Sequence, residues 1–311
     1  MRDLIRRVGR AGRPFMLLPI LLLSGCNWDV LDPQGAIGSS EKTLLITSVL
    51  LMLLIVVPVI VLTLAVAYHF RATNTKATYR PDFNHSLPIE IVIWVIPCLI
   101  ILVLGIITWD STHTLDPYRR IAAGDRKPVN VEVVALDWKW LFIYPDLHIA
   151  TVNELAMPVG TPVSFNITSQ TVMNSFFIPQ LGSQIYAMAG MQTRLHLMAN
   201  HPGHYRGISA NFSGDGFSGM HFDAIAMDQA GFDAWVQKAR QSGATLDDGA
   251  MAKLEQASQD VPVSYYGSVT GDPFGDLVSS FMGKAMSMQE ATHPSTHPAS
   301  GSGMAGMNMK D

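Results

Sequence analysis

The sequence predicts a membrane-anchored all-β protein, with a two-helix transmembrane hairpin, then a β-sandwich, then a helical C-terminal extension. Three observations predict it. Two runs, 44–67 and 91–109, hold no charged residue over 24 and 19 positions. From Val129 onward, continuous apolar character gives way to alternation. Across 311 residues, 48% are hydrophobic but only 15% charged. A typical soluble domain carries about 25% charged residues, so part of this chain belongs in lipid. The net charge of −4, with no Lys/Arg block outside the N-terminus, argues against a nucleic-acid partner.

The N-terminus reads as an address. Arg2, Arg6, Arg7, Arg10 and Arg13 form a basic region, and Phe15 to Leu23 is apolar but too short to cross a bilayer. Leu23-Ser24-Gly25-Cys26 then resembles the lipobox of bacterial lipoproteins. The resemblance implies a signal peptide over 1–25 and lipidation of Cys26, which becomes the mature N-terminus. Cleavage removes five arginines and one aspartate and takes the net charge from −4 to −8. Membrane attachment then rests on apolar segments and lipid rather than on a basic patch.

Residues 26–43 are read as a periplasmic segment, 44–67 and 91–109 as transmembrane helices, and 68–90 as the cytoplasmic loop between them. As helices, the two runs would measure about 36 and 28 Å, matching a hydrocarbon core of about 30 Å. Pro58 and Pro97 are tolerated in lipid-embedded helices. Lipidation at Cys26 puts that end outside, and Arg71, Lys76 and Arg80 in the loop agree with a positive inner side. Trp94 and Trp109 lie near the ends of the second run, as interfacial anchors do. Cys98, without a thiol partner, reads as a small apolar filler.

Residues 110–230 form the predicted periplasmic domain. Val129, Val131, Val133 and Ala135 share one strand face, opposite Asn130 and Glu132, and Val163 to Thr168 repeats the pattern. Further short runs, separated by Gly and Pro turns, suggest an antiparallel sandwich. Phe232 to Arg240 and Ala250 to Ala257 read as helices within an extension over 231–285. The tail, 286–311, is rich in Met, His, Ser, Gly and Pro and is expected to be disordered. From Met282 on, Met286, Met288, His293, His297, Met304, Met307 and Met309 offer weak Cu(I) ligands. A copper-neutral tail is the simpler reading.

Three strings carry a family resemblance. Leu136-Asp137-Trp138-Lys139-Trp140 is followed by Tyr144-Pro145-Asp146. Asn174-Ser175-Phe176-Phe177-Ile178-Pro179 comes next, then Met191-Gln192-Thr193. In this order, after a lipobox and a hairpin, they resemble subunit II of the haem-copper respiratory oxidases. The resemblance implies a cupredoxin-like Greek-key sandwich. In cytochrome c oxidases that sandwich holds the dinuclear copper centre CuA on thiolates and imidazoles. This chain departs from the pattern. The two cysteine positions hold Ser209 and Ser213, the glutamate position Asn211, the loop histidine Phe217 and the upstream histidine Asn174; only Met220 is retained. Soft thiolates and imidazoles suit copper, and hydroxyls do not. His221 reads as a polar strand residue, and His196, His201 and His204 have no thiolate among them.

The departure resembles the cytochrome bo-type ubiquinol oxidases. That branch implies a proton-pumping complex that oxidises quinol and reduces oxygen to water. No cofactor is then expected in this chain; haem b, haem o or a, and CuB belong to subunit I. The implied partners are subunits I, III and IV, ubiquinol and membrane lipid, with no cytochrome c, in a bacterial inner membrane. Tyr265, Tyr266, Phe274 and Phe281 resemble the branch's aromatic-rich C-terminal region. Glu90 stands where the family has a glutamate at the mouth of the K-channel for protons; without the resemblance it reads as a first-turn acid favourable to the helix dipole. A different class of reading is a stand-alone lipoprotein with a cupredoxin-like module for oxidase assembly or copper handling. The two-span hairpin weighs against it.

Overall fold

In the computed structural model, which describes residues 29–78, 83–122, 124 and 126–281, each uncharged run lies inside a longer helix. Helix α1 spans Ala36–His69 and α2 spans Leu87–Thr114. The signal segment, Cys26, Arg80 and the Met/His tail from Met282 lie outside the described residues. The 34 residues of α1 measure about 51 Å, so its first turns project beyond a 30 Å hydrocarbon layer. Among the described residues, α1 buries only Gly38 and α2 only Ile100. Both helices are long and apolar enough to cross a membrane, and their apolar surfaces lie open among the described residues.

The projecting end of α1 is fastened to the sandwich. Gly38 N–H donates to the Leu181 carbonyl at 3.0 Å, and Glu41 accepts from the Ser183 backbone at 3.0 Å and its hydroxyl at 2.6 Å. Gly182 has φ +121°, and a Cβ there would sit 2.7 Å from the Gly38 nitrogen. Only glycine permits both this backbone and this approach.

Ten strands build the sandwich proper. They are β1 (Val129–Leu136), β2 (Lys139–Tyr144), β3 (Ile149–Val152), β4 (Glu154–Pro158), β5 (Val163–Ser169), β6 (Asn174–Ile178), β7 (Gly182–Ala187), β8 (Thr193–Leu197), β9 (Gly203–Ser209) and β10 (His221–Met227). The extension adds α3 (Gln229–Arg240), β11 (Thr245–Leu246), α4 (Asp248–Leu254), β12 (Ser264–Tyr266), β13 (Ser268–Val269) and a helical run, 273–281. One sheet runs β12-β3-β2-β1-β5-β8 and the other β4-β10-β9-β6-β7.

The sandwich is mixed rather than antiparallel throughout. β1 pairs with β5 in parallel, Val129 opposite Val163, and β4 pairs with β10 in parallel, Asp223 opposite Glu154. The chain leaves the first sheet at β4 and returns at β5. This crossover lets β5 lie beside β1 in the same direction. The predicted helices also begin earlier than their apolar residues indicate. Asp228 accepts from Gly231 N–H and Asp247 from Ala250 N–H, each capping a helix before its first buried residue.

Two cores result. Between the sheets lie Val131, Val133, Trp140, Phe142, Phe165, Phe176 and Phe222, with Phe232 and Trp235 of α3 closing one side. Phe176 and Phe222 stack with centroids 5.2 Å apart. The second core lies on the outer face of the first sheet, where Val134, Leu141, Ile143 and Val152 meet Leu246, Met251, Phe274 and Leu277 of the extension. β2 is consequently buried along its whole length, which is why Lys139 to Tyr144 reads as continuous rather than alternating.

Candidate functional site

The pairing of β6 with β9 brings the residues expected from the resemblance to stand at copper-ligand positions to one end of the sandwich. Phe176 lies opposite Ser209, which places Asn174 at the start of β6 beside the end of β9. The Ser209 hydroxyl is 3.0 Å from Asn174 Oδ1 and 3.2 Å from the Asn211 carbonyl. Asn174 Nδ2 donates to the Val172 carbonyl, and Asn211 Nδ2 to the Met173 carbonyl at 2.9 Å. Ser213 Oγ lies 4.0 Å from the sulfur of buried Met220. Phe217 packs edge-to-face on Phe212, 5.6 Å between centroids. The six positions thus share one loop cluster, and their polar groups bond to each other and to backbone carbonyls. The donors are amides, hydroxyls and one thioether. Among the described residues no three His, Cys, Asp or Glu side chains gather in a metal-holding group.

Trp138 is the part of this cluster to which the sequence reading gave no role. Its indole N–H donates to the Ser213 carbonyl at 2.9 Å. A Cβ on Gly216 would meet its ring at 2.5 Å. The loop therefore lies flat on the indole, and the available signal was a Trp in the Asp137-Trp138-Lys139 string paired with glycines at 214 and 216.

The remaining candidates are dispersed. His221 is exposed on β10, His196 is buried on β8, and His201 and His204 are exposed at and before β9. Burial first, then the fields of Arg120 and Arg194, hold the His196 imidazole below its usual range. Cys98 is exposed on α2, and Trp94 and Trp109 both project outward.

Glu90 lies in the first turn of α2, far in sequence from the loop cluster. Its Oε1 accepts the backbone N–H of the N-cap residue Ser86 at 3.2 Å and lies 2.5 Å from His85 Nδ1. Oε2 makes no hydrogen bond among the described residues. Pro88 in the first turn sacrifices no helical hydrogen bond. The carboxylate is both a helix cap and a half-exposed acid paired with an imidazole.

Known proteins resemble this chain closely. It is 55% identical over 265 residues to cytochrome bo(3) ubiquinol oxidase subunit 2 of Pseudomonas aeruginosa, covering 85% of this chain and 80% of that protein. The chain belongs to the ubiquinol oxidase subunit 2 family. To ubiquinol oxidase subunit 2 of Acetobacter aceti it is 50% identical over 309 residues, 99% of each chain. To the Pseudomonas putida protein it is 51% identical, over 88% of both. The family model for the cytochrome c oxidase subunit II periplasmic domain matches residues 141–227, and the aromatic-rich motif of these oxidases matches 240–285.

In this subunit 2 the aromatic-rich region is part of the sandwich. β12 extends the first sheet by pairing with β3, Tyr265 opposite Thr151. Glu154 Oε1 accepts both the Trp235 indole N–H and the Tyr265 hydroxyl at 2.7 Å. Lys238 donates to that hydroxyl at 3.0 Å and lies over the ring. A second tie is Lys139. Its Nζ donates to the Gln256 carbonyl at 2.8 Å, the Ser258 hydroxyl at 2.7 Å and the Asp137 carbonyl at 3.2 Å. Burial lowers its pKa, partly offset by Asp137. On the same sheet the Glu132 carboxyl is pushed up to about 7, first by burial and then by Asp272.

Proposed function

We propose that this chain is subunit II of a proton-pumping respiratory ubiquinol oxidase, lacking CuA and serving to cap and brace the catalytic subunit. The observation that carries the reading is the 55% identity, across most of both chains, to a ubiquinol oxidase subunit 2. The loop cluster supports its metal-free half. A dinuclear copper site needs bridging thiolates and imidazoles, and the amide of Asn174 and hydroxyl of Ser209 that stand there are bonded to each other. These residues do not fit CuA.

Without CuA the chain offers no entry for electrons from cytochrome c, so electrons reach subunit I from quinol in the membrane. Haem b, haem o or a, and CuB reside there. The open apolar faces of α1 and α2 pack on that subunit and on lipid, with subunits III and IV completing the complex. The tie between α1 and Ser183 through Glu41 then holds the sandwich at a fixed height over the membrane. Glu90, at the cytoplasmic end of α2, collects protons for the K-channel. Its free Oε2 and the adjacent His85 suit proton exchange with water. Lipidated Cys26 anchors the mature N-terminus in the outer leaflet, and the domain that follows α2 is periplasmic.

Metal, haem and donor analysis of the purified complex tests the reading. We expect haem and a single copper per complex, oxygen consumption with ubiquinol, and none with reduced cytochrome c. A near-infrared copper band with cytochrome c turnover would overturn it, as would recovery of the chain as a haem-free monomer.

A further inference from the structure

The outer ends of the hairpin enclose a cleft of about 660 Å³, with Leu44 of α1 and Ile107 of α2 as its apolar walls and Ser40 and Thr43 on its rim. Arg119 lines this cleft and also a second one of about 210 Å³ beneath the sandwich, which Arg120 and His196 share. Among the described residues, no carboxylate lies within ion-pair distance of Arg119 or Arg120, and neither guanidinium makes a hydrogen bond. Asp110 lines the larger cleft with its carboxylate equally unpaired. Exposed Trp109 and Tyr118 flank the site, and such rings settle at headgroup depth.

A slot between two helices, apolar at Leu44, Ile107 and Leu115, polar at Ser111 and Thr114, and lined by separate uncompensated charges of both signs, matches one kind of molecule. We propose that this cleft binds a zwitterionic phospholipid of the outer leaflet. Its phosphate sits on Arg119 and Arg120, its primary ammonium on Asp110, and one acyl chain lies between Leu44 and Ile107. The guanidinium fork suits a phosphodiester oxygen pair, which a water-exposed ammonium side chain would hold less specifically. The lipid fills the cleft between the two helices beside the sandwich. It thereby couples the membrane surface to the α1–β7 contact. This rests on the reading that the hairpin spans the membrane within an oxidase complex.

The test places the photoreactive residue p-benzoyl-phenylalanine at position 44 in the full complex. The complex is reconstituted in vesicles of phosphatidylethanolamine and phosphatidylglycerol, and the adduct is identified by mass. We expect a phosphatidylethanolamine adduct that millimolar inorganic phosphate does not displace. In R119Q/R120Q it should fall at least about tenfold, since both charge-assisted contacts to the phosphate are lost. R206Q, on the exposed side of β9, should leave it unchanged. A cross-link to another subunit, an adduct with the acyl chains of the chain's own N-terminus, or a dominant phosphatidylglycerol adduct would each overturn the proposal. Haem co-purifying with the labelled chain separates this failure from failure of the oxidase reading, in which no haem accompanies it.

Discussion

The Ser209 hydroxyl lies 3.0 Å from the side-chain oxygen of Asn174, 35 residues earlier, and both side chains are buried. Two neutral polar groups thus satisfy each other. The polar atoms of the loop are spent on internal hydrogen bonds. Removing one partner should cost more than removing both, because a lone buried acceptor loses water without replacement.

Ser209→Ala is therefore expected to destabilise the protein by about 1–3 kcal/mol, and Asn174→Ala/Ser209→Ala by less than the sum of the single changes. Thermal melting of the purified protein and its variants reads this out. Additive losses would show that the two side chains do not act as a pair.

Lys139 holds the segment after α4 against the start of β2 through three oxygen acceptors. Lys139→Met keeps the aliphatic packing but strands two carbonyls and a hydroxyl, at a cost of roughly 2–4 kcal/mol. Limited proteolysis should cut the variant near Gln256 to Asp260 much faster than the native chain. Equal cleavage rates would contradict the role given to the ammonium.

Glu132 titrates near neutrality in the folded chain, against 4.5 for an ordinary glutamate, because burial and then Asp272 disfavour its charge. The raised pKa means the fold prefers the protonated carboxyl. Its contribution is fully favourable below about 4.5 and is lost as pH rises through about 7. Glu132→Gln should accordingly stabilise the protein at pH 8, on the order of 1–2 kcal/mol after allowance for partial solvation, and hardly at all at pH 4.5. Melting curves across that range decide it; a gain independent of pH would mean the charge is not the cause.

Glu90 separates capping from proton delivery by the choice of substitution. Glu90→Gln retains an acceptor for Ser86 N–H, whereas Glu90→Ala removes both acceptor and acid. If the residue feeds protons, both variants slow turnover and proton uptake by the complex. If it serves only as a cap, Glu90→Gln behaves like the native chain. The expected loss is about 10-fold or more, within the usual reach of one proton-transfer group.

Much of the candidate site was legible in advance. The serine, asparagine and phenylalanine at 209, 213, 174, 211 and 217 could be placed because strand strings with turn residues between them keep their order along the chain. Their hydrogen bonding to one another could not, since it depends on β6 lying beside β9. Trp138 was visible only as part of a string, because its role is to support a loop some 75 residues away. Glu90 stands as a candidate by its position alone, and its bonds to Ser86 and His85 depend on how α2 begins.

The amino-acid sequence alone specified the two apolar helices, the sandwich, and the asparagine, serine and phenylalanine side chains at 174, 209, 211, 213 and 217. Each of these is written in local character: uncharged length, period-two alternation, and side-chain identity at a position. Tertiary structure alone decided the parallel pairing of β1 with β5, the burial of β2 on both faces, and the fastening of α1 at Gly182. Alternation states which face of a strand is buried but is silent about the neighbour that buries it. A glycine declares freedom of backbone, and only the fold shows that Gly182 uses it to admit a helix.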